Sequence, residues 1–260
     1  MSSYYYILDH PRVLQNAFFP RRWQTRCPED AFDLQVSVAE DVALHCRFYV
    51  GGEALPTILY FHGNGEIASD YDGFAPMYKA AGANLAVAEF RGYGTSGGTP
   101  TFTAMLKDAH LIFEAVRKEM ARRKFNPHLF IMGRSLGSVA AFELAAAYTS
   151  ESKGLIIESG FVCASRIARR IGFLRDELEL LEEECRQKIR SIRLPALVIH
   201  GEDDNLVPMT EAKAIFSLLQ VEEKKLLTIP YGEHNTLIFE GKEEYFGAIG
   251  NFIKPKTVSG

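Results

Sequence analysis

Residues 129–148 read LFIMGRSLGSVAAFELAAAY, and this stretch decides the fold. Its first four residues form a short apolar run, as expected of a strand that is covered on both faces of a sheet. The next five residues follow the pattern G-x-S-x-G, and the alanine-rich remainder has the composition of a helix that packs closely on a sheet. This order of strand, sharp turn and helix predicts a turn that exposes the side chain of Ser135.

The remainder of the chain alternates between strand-like and helix-like segments, which is typical of α/β proteins. The first two predicted strands form a hairpin, and the later ones need helical crossovers, which are right-handed in nearly all sheets. The sequence therefore predicts a mostly parallel sheet of about eight strands, led by an antiparallel pair, with helices on both faces. The predicted strands are Leu34–Ala39, Val42–Val50, Thr57–Phe61, Asn84–Phe90, Leu129–Met132, Leu155–Glu158, Ala196–His200 and Leu226–Ile229. The predicted helices cover Leu106–Met120, Leu136–Tyr148, a stretch after Pro208, and Glu240–Ile253.

Length and composition fit a single globular domain over residues 1–260. The chain is 47% hydrophobic and 24% charged, and it is long enough to bury a full core. A formal net charge of −4 argues against nucleic acid as the main partner. The four cysteines are far apart and form no CxxC pair, so we expect reduced thiols in a cytoplasmic protein.

The N-terminal part of the chain contains the residues that bear on membrane association. No apolar run reaches about 18 residues, so no transmembrane segment is expected. Residues 17–24 read AFFPRRWQ, and this mixture of aromatic residues and arginines is compatible with peripheral contact to a membrane surface. The interpretation that we favour is a segment folded back on the domain, with its aromatic side chains in the core.

Residues 160–193 interrupt the alternation because they contain no strand-like run. Apolar residues recur there at steps of three or four from Ile167 to Ile192, with dense charge between them. This pattern predicts one or two amphipathic helices, with a break at Gly172. We expect a small helical cap over the carboxyl ends of the strands, where open α/β sheets bind ligands.

A serine hydroxyl is a poor nucleophile at neutral pH until a base takes its proton. Of the seven histidines, His234 alone lies in a polar loop after the last predicted strand. That loop reaches the same edge of the sheet as Ser135, so His234 is the predicted general base.

The imidazole in turn needs an anion that fixes its tautomer. Glu202, Asp203 and Asp204 follow the penultimate strand, and Glu158 ends a neighbouring strand. The residues alone leave all four carboxylates as candidates.

The oxyanion that develops during acyl transfer needs preorganised donors, usually backbone N–H groups. Leu136 directly follows the candidate nucleophile and is predicted to supply one of them. The loop HGNG at residues 62–65 follows a predicted strand, and its two glycines allow the backbone to fold tightly towards the site. We expect the second donor from this loop.

Taken together, these motifs resemble those of the α/β-hydrolase superfamily over residues 34–253, in particular its small esterase and thioesterase branch. GRSLG is similar to the nucleophile elbow, HGNG to the oxyanion-loop motif, and FRGYGTSGG to the loop after the fourth strand. HGEDDNLVP is similar to the acid-loop motif, and GEHN to the histidine loop.

The resemblance implies a role for single residues. The acid of the family is the fifth residue of its motif, here Asp204, and the histidine is His234. The second oxyanion donor becomes Asn64, beside Leu136. The chain departs from many relatives before RGYG, where Phe90 preceded by Glu89 stands in place of an aspartate.

The resemblance also implies a serine hydrolase that cleaves a carboxylic ester or thioester through an acyl-enzyme intermediate, without a metal or an organic cofactor. The apolar stripe of the predicted cap favours a small acyl substrate with a hydrophobic part. One alternative is an amidase or peptidase that uses the same three residues. The other is a non-catalytic binding protein on the same fold, a class that usually lacks one of them.

Overall fold

The computed structural model describes residues 4–254, so residues 1–3 and 255–260 of the predicted domain lie outside it. The sheet has the order β1-β2-β4-β3-β5-β6-β7-β8. The pairs β1–β2 and β2–β4 are antiparallel and all other pairs are parallel. This arrangement confirms the prediction of a mostly parallel, eight-stranded sheet led by an antiparallel pair. The strands are β1 (Ala31–Ala39), β2 (Val42–Tyr49), β3 (Thr57–Phe61), β4 (Asn84–Ala88), β5 (Leu129–Arg134), β6 (Gly154–Glu158), β7 (Ala196–Gly201) and β8 (Lys224–Ile229).

Helices cover both faces of the sheet, and two hydrophobic clusters fill the space between them. Strand β3 shows the division, because Leu59 and Phe61 belong to one cluster and Ile58 and Tyr60 to the other. Strands β3 to β7 are buried along their whole length, which explains their near-continuous apolar sequences. The α-helices are α1 (Pro11–Ala17), α2 (Ala75–Ala80), α3 (Phe102–Arg122), α4 (Ser138–Ala147), α5 (Ser165–Arg170), α6 (Glu177–Ser191), α7 (Met209–Leu218), α8 (Leu237–Glu240) and α9 (Lys242–Ile253).

The predicted C-terminal helix, Glu240–Ile253, is present as α9, and the short helix α8, which was not predicted, precedes it with a break at Gly241. A Cβ atom at this glycine would lie 2.6 Å from Cγ2 of Ile229, so only glycine allows the chain to approach β8 this closely. The apolar pattern of the segment does not reveal such a contact, because the contact is made with a distant part of the chain.

The segment 160–193 forms two helices, α5 and α6, and the chain between them passes through Gly172 with a φ of 66°. This left-handed conformation favours glycine and explains the position of the break. Helix α6 buries Leu178, Leu181 and Ile189 and packs against α4. The assignment of residues 160–193 as a cap stays a prediction. Helix α5, together with Phe161 before it and Ile171 after it, is the part of the segment that reaches the cavity described below.

The N-terminal segment, residues 4–19, folds onto the domain through a 3₁₀ helix at Tyr4–Asp9 and through α1. Leu8 and Val13 are fully buried, and the Asp9 carboxylate accepts a hydrogen bond of 2.7 Å from the backbone N–H of Phe102 at the start of α3. Within residues 4–254, no helix is both long and apolar enough to cross a bilayer. Peripheral contact with a membrane stays a prediction.

Because the N-terminal segment is part of the core, we predict that Leu8→Ala lowers the free energy of unfolding by about 2–5 kcal/mol, the range for a leucine truncated in a packed interior. Tyr6→Ala is the matched control, since this side chain in the same 3₁₀ helix is 56% exposed and should change stability little. Urea denaturation measures both variants. Equal, small effects would show that the segment is only loosely attached.

Candidate active site

Ser135 lies at the turn between β5 and α4 and has a φ of 49°, a left-handed conformation that is uncommon for residues other than glycine. The flanking glycines allow the close approach of neighbouring backbone. A Cβ atom at Gly137 would lie 2.0 Å from the carbonyl oxygen of Phe61, and one at Gly133 would lie 2.5 Å from the carbonyl oxygen of Gly137. The G-x-S-x-G pattern is therefore a steric requirement of the turn.

Ser135, His234 and Asp204 form one hydrogen-bonded chain at the carboxyl edge of the sheet. The Nε2 atom of His234 lies 3.0 Å from the Ser135 Oγ atom, and its Nδ1 atom lies 2.8 Å from the Asp204 Oδ2 atom. All three residues are buried. When Nδ1–H donates to Asp204, Nε2 is left unprotonated and can accept the proton of the serine hydroxyl.

Asp204 is held in place by the loop in which it lies. Its Oδ1 atom accepts hydrogen bonds from the backbone N–H groups of Leu206 at 3.0 Å and Val207 at 2.7 Å. Burial by itself raises the pKa of Asp204, but the hydrogen bonds from His234 and Val207 outweigh it and hold the pKa below its ordinary value. The carboxylate therefore stays ionised beside the imidazole at neutral pH.

The other candidate acids lie elsewhere. Glu202 and Asp203 are exposed, and neither is hydrogen-bonded to the His234 ring. Glu158 is buried but receives hydrogen bonds from Arg134 and from the hydroxyl of Tyr245.

The oxyanion loop is fixed by the side chain of Asn64. Its Oδ1 atom accepts hydrogen bonds from the Phe19 backbone N–H at 3.0 Å and the Tyr93 hydroxyl at 2.7 Å, and its Nδ2 group donates to the Ala17 carbonyl at 2.8 Å. These contacts use the side chain and leave the backbone N–H of Asn64 as its donor for a ligand. Leu136 lies in the first turn of a short 3₁₀ helix, where N–H groups have no partner within the helix. Their role as oxyanion donors stays a prediction.

Arg134 is the residue that the sequence analysis missed. Its buried guanidinium forms ion pairs with Glu66 and, at 3.1 Å, with Glu158. Burial lowers the pKa of Arg134, but the two carboxylates more than compensate and hold it well above the ordinary value. A charged residue inside an otherwise buried run is a signal that a buried partner exists, although it does not say which one.

Arg134 connects the three loops of the site. It belongs to the nucleophile turn, and its Nη2 atom donates to the His234 carbonyl at 2.7 Å and to the Asn235 Oδ1 atom at 2.8 Å. Its partner Glu66 accepts the backbone N–H of Gly63 in the oxyanion loop at 2.7 Å. One guanidinium thus sets the positions of the histidine loop and the oxyanion loop relative to the serine.

Glu89, the departure noted in the RGYG motif, forms a second buried cluster under the oxyanion loop. Its carboxylate lies 3.4 Å from Nε2 of His62 and accepts the Ala68 backbone N–H at 2.9 Å. Burial raises the pKa of Glu89, but hydrogen bonds from His45 and His62 lower it to about 2. Because Nδ1–H of His62 donates to the Gly63 carbonyl at 2.8 Å, this cluster supports the start of the oxyanion loop.

A cavity of about 830 Å³, which we call the catalytic cavity, opens beside these groups, and its volume suits a small organic ligand. The candidate nucleophile and both candidate oxyanion donors line it. Its walls come from the N-terminal segment, the loop after β6, α5 and the loop after β7. Apolar side chains dominate these walls: Phe19, Phe161, Ile167, Ile171, Leu206 and Val207. The described residues contain no cluster of His, Cys, Asp or Glu that could hold a metal ion.

Comparison with protein families shows a match to a family described as serine aminopeptidase, S33, over residues 52–174 and 168–242. Among individual proteins, the uncharacterized protein YfhR of Escherichia coli K12 is 30% identical over 188 residues, which cover 70% of this chain and 63% of that protein. The human alpha/beta hydrolase domain-containing protein 17B is 28% identical over 259 residues, which cover 92% of this chain and 84% of that protein.

Solved structures show the same fold. An esterase of Pyrococcus furiosus superposes with a TM-score of 0.72 at 18% identity, covering 90% of this chain and 97% of that chain. Est1E of Butyrivibrio proteoclasticus, a structure with bound ferulic acid, superposes with a TM-score of 0.67 at 18% identity, covering 84% of this chain and 97% of that chain. These likenesses confirm the predicted α/β-hydrolase fold.

We predict that Arg134→Met lowers the free energy of unfolding by about 3–5 kcal/mol, because it leaves the buried Glu158 carboxylate without its cation. The positioning role adds a second expectation, faster amide hydrogen exchange in residues 231–236, the loop that holds His234. Chemical denaturation and hydrogen exchange with mass spectrometry measure the two effects.

Arg122→Met is the control for this prediction, since Arg122 pairs with Glu119 on the surface and its loss should change stability little. If the two variants lost the same small amount of stability and exchanged equally slowly, Arg134 would not hold the loops together.

Proposed function

Because the chain belongs to the serine aminopeptidase S33 family of α/β hydrolases, we propose that it is a serine hydrolase that cleaves a carboxylic ester or thioester through an acyl-enzyme intermediate. The observation that carries this proposal is the chain of hydrogen bonds from Ser135 through His234 to Asp204, with Ser135 in the lining of a cavity that has apolar walls.

In the first step, the Ser135 Oγ atom attacks the carbonyl carbon of the substrate, and its proton passes to Nε2 of His234. The Asp204 carboxylate, which accepts the Nδ1–H bond, stabilises the imidazolium that forms. Negative charge develops on the carbonyl oxygen and is bound by the backbone N–H groups of Leu136 and Asn64.

In the second step, the bond to the leaving alcohol or thiol breaks, and the leaving group takes the proton from Nε2 of His234. The acyl group is now an ester of Ser135. Water then attacks this ester while His234 accepts its proton, and the proton returns to Ser135 Oγ as the free acid departs. No step in this sequence calls for a metal or an organic cofactor.

The walls of the catalytic cavity favour a small acyl substrate with a hydrophobic part. Phe19, Phe161 and Ile171 offer an apolar surface beside the nucleophile, and an alkyl or aryl group is stabilised there by leaving water. The ester or thioester carbonyl would lie between Ser135 and the two amide donors.

The family description names an aminopeptidase, which makes peptide hydrolysis the alternative to consider. An aminopeptidase has to bind the free ammonium group of its substrate, and a carboxylate usually serves this purpose. Among the described residues, the side chains that line the catalytic cavity include two arginines and no carboxylate. An ammonium group would be repelled there, which favours an ester or thioester over the amino end of a peptide.

We predict that Ser135→Ala lowers kcat for short p-nitrophenyl esters by about 10⁴-fold or more, because it removes the attacking atom. It should also abolish covalent labelling by a fluorophosphonate probe. Ser37→Ala, which changes an exposed serine of β1, is the matched control and should hydrolyse and label like the wild type. Hydrolysis and labelling that survive in Ser135→Ala would remove this serine from the mechanism.

The substrate class follows from the same assay. The ratio of kcat/KM for a p-nitrophenyl ester to that for the matched p-nitroanilide should strongly favour the ester. A preference for the anilide would replace the esterase proposal by an amidase.

We predict that Asp204→Asn lowers kcat by about 10²–10⁴-fold. Asparagine can still accept the backbone N–H groups of the loop, but its amide presents a donor to His234 and favours the wrong tautomer. Asp203→Asn is the control, because this exposed neighbour has no contact with the imidazole. Full activity in Asp204→Asn, with activity lost in Asp203→Asn or Glu158→Gln, would mean that another carboxylate orients the histidine.

A further inference from the structure

Among the described residues, the charged side chains that line the catalytic cavity are all positive. In the described part of the chain, the charged side chains that line it are Arg166 and Arg170. They are four residues apart on α5, so they lie on the same face of the helix. A molecule in this cavity therefore meets positive charge and no negative charge from the walls.

The two arginines differ in how far their charge is compensated. Nη2 of Arg166 donates to the Leu206 carbonyl at 3.0 Å, and its Nε atom lies 3.5 Å from a carboxylate oxygen of Glu211. Arg170 has no carboxylate within 4.0 Å in residues 4–254, whereas its neighbour Arg169 is paired with Glu182 of α6. The wall of the cavity thus contains one anchored guanidinium and one that is free to bind a ligand.

A third guanidinium strengthens the field at this end of α5. Nη2 of Arg12, on α1, donates to the Ile171 carbonyl at 2.9 Å. Arg12 does not line the cavity, but its charge lies next to the turn of chain that follows Arg170. Three cations near one wall raise the local concentration of anions by long-range attraction.

Apolar side chains accompany these cations on the lining. Ile167 and Ile171 each follow one of the two arginines, and they line the same cavity as Ser135. A ligand that fits this lining has a reactive carbonyl at the serine, a hydrophobic middle part along the isoleucines, and an anionic group for the guanidinium of Arg170.

We propose that the substrate of this hydrolase is an ester or thioester that carries an oxyanion, a carboxylate or a phosphate, beyond its hydrophobic part, and that Arg170, next to Arg166, binds this oxyanion. The proposal deepens the proposed function and rests on it. A planar guanidinium binds two oxygens of such a group at once, which makes an arginine more selective than a point charge.

The test compares esters that differ only at the far end. The carboxylate substrate is the mono-p-nitrophenyl ester of suberic acid, and the uncharged one is its methyl-capped diester. A p-nitrophenyl octanoate with a terminal phosphate and one with a terminal trimethylammonium group complete the set. In the wild type, kcat/KM for an anionic ester should exceed that for the capped ester by about tenfold or more, and the cationic ester should be the poorest.

Substitutions in α5 show which arginine causes the preference for anionic esters. Arg170→Gln should bring the ratio of kcat/KM for the anionic ester to kcat/KM for the capped ester down to near one. Arg170→Glu should reverse the preference, so that kcat/KM is highest for the cationic ester. Arg169→Gln is the matched control, because it removes an equal charge from the same helix outside the cavity, and its ratio should equal that of the wild type. The same ratio in the wild type and in Arg170→Gln would overturn the proposal. So would a fall of this ratio in Arg169→Gln as large as the fall in Arg170→Gln.

A binding experiment separates this proposal from the proposed function. Titration calorimetry with Ser135→Ala compares monomethyl suberate, dimethyl suberate and octyl phosphate, none of which has to be hydrolysed. Tighter binding of either anion than of the neutral diester, lost on adding Arg170→Gln, supports the oxyanion site even if the wild type cleaves no ester. The tighter of the two anions identifies the group as carboxylate or phosphate, and equal binding of all three ligands overturns the proposal.

Discussion

The ion pairs of Arg134 with Glu66 and Glu158 are the interaction on which the candidate site depends. The serine and the oxyanion loop follow the paired strands β5 and β3, but the histidine follows β8, three strands away from β5, so a contact outside the sheet has to join the histidine loop to the other two. The guanidinium does so, because it also donates to the carbonyl of His234 and holds Glu66 against the oxyanion loop. A buried ion triad of this kind adds little net stability by itself, since desolvation opposes it, but it allows only one relative position of the groups that it joins.

The sheet could be predicted from the sequence because its strands are short apolar runs separated by turn residues. The turn at Ser135 could be predicted because its steric requirement is local and leaves glycines at fixed spacing. The pairing of Arg134 could not be predicted, because Glu66 lies in the loop after β3 and Glu158 at the end of β6, and nothing in the sequence around either residue indicates the contact. The break at Gly241 depends on a contact with Ile229 for the same reason. The folding of the N-terminal segment onto the domain agrees with the interpretation favoured from the sequence, but its aromatic residues differ in burial, because Phe18 is buried whereas Phe19 and Trp23 are more than half exposed. Among the four candidate acids, the residues alone offered no choice, and the family motif pointed to Asp204. The structure places that carboxylate 2.8 Å from the imidazole, while its catalytic role stays a prediction.

The ionisable groups around the site are divided between two layers. In the first layer, Glu66 and Glu158 share the single positive charge of Arg134, and Glu89 lies close to His62. Arg134 offsets only part of this negative charge, but none of these three carboxylates lines the catalytic cavity. The second layer is the cavity wall formed by α5, which has two arginines, and Arg170 has no carboxylate within 4.0 Å in residues 4–254. The charged side chains that line the cavity in the described chain are therefore the arginines of α5, although the net charge of the whole chain is −4.

The division between sheet and walls also has a consequence for how proteins of this architecture diverge. Ser135, His234 and Asp204 stand on loops of the sheet, whereas Asn16, Phe19 and the α5 side chains belong to segments that contribute no strand. The buried residues of those segments attach them to the domain, and the residues that face the ligand are not needed for this attachment. After gene duplication, mutations can therefore replace the ligand-facing residues one at a time. The two copies would then bind different molecules, while the residues of the reaction centre stay the same in both.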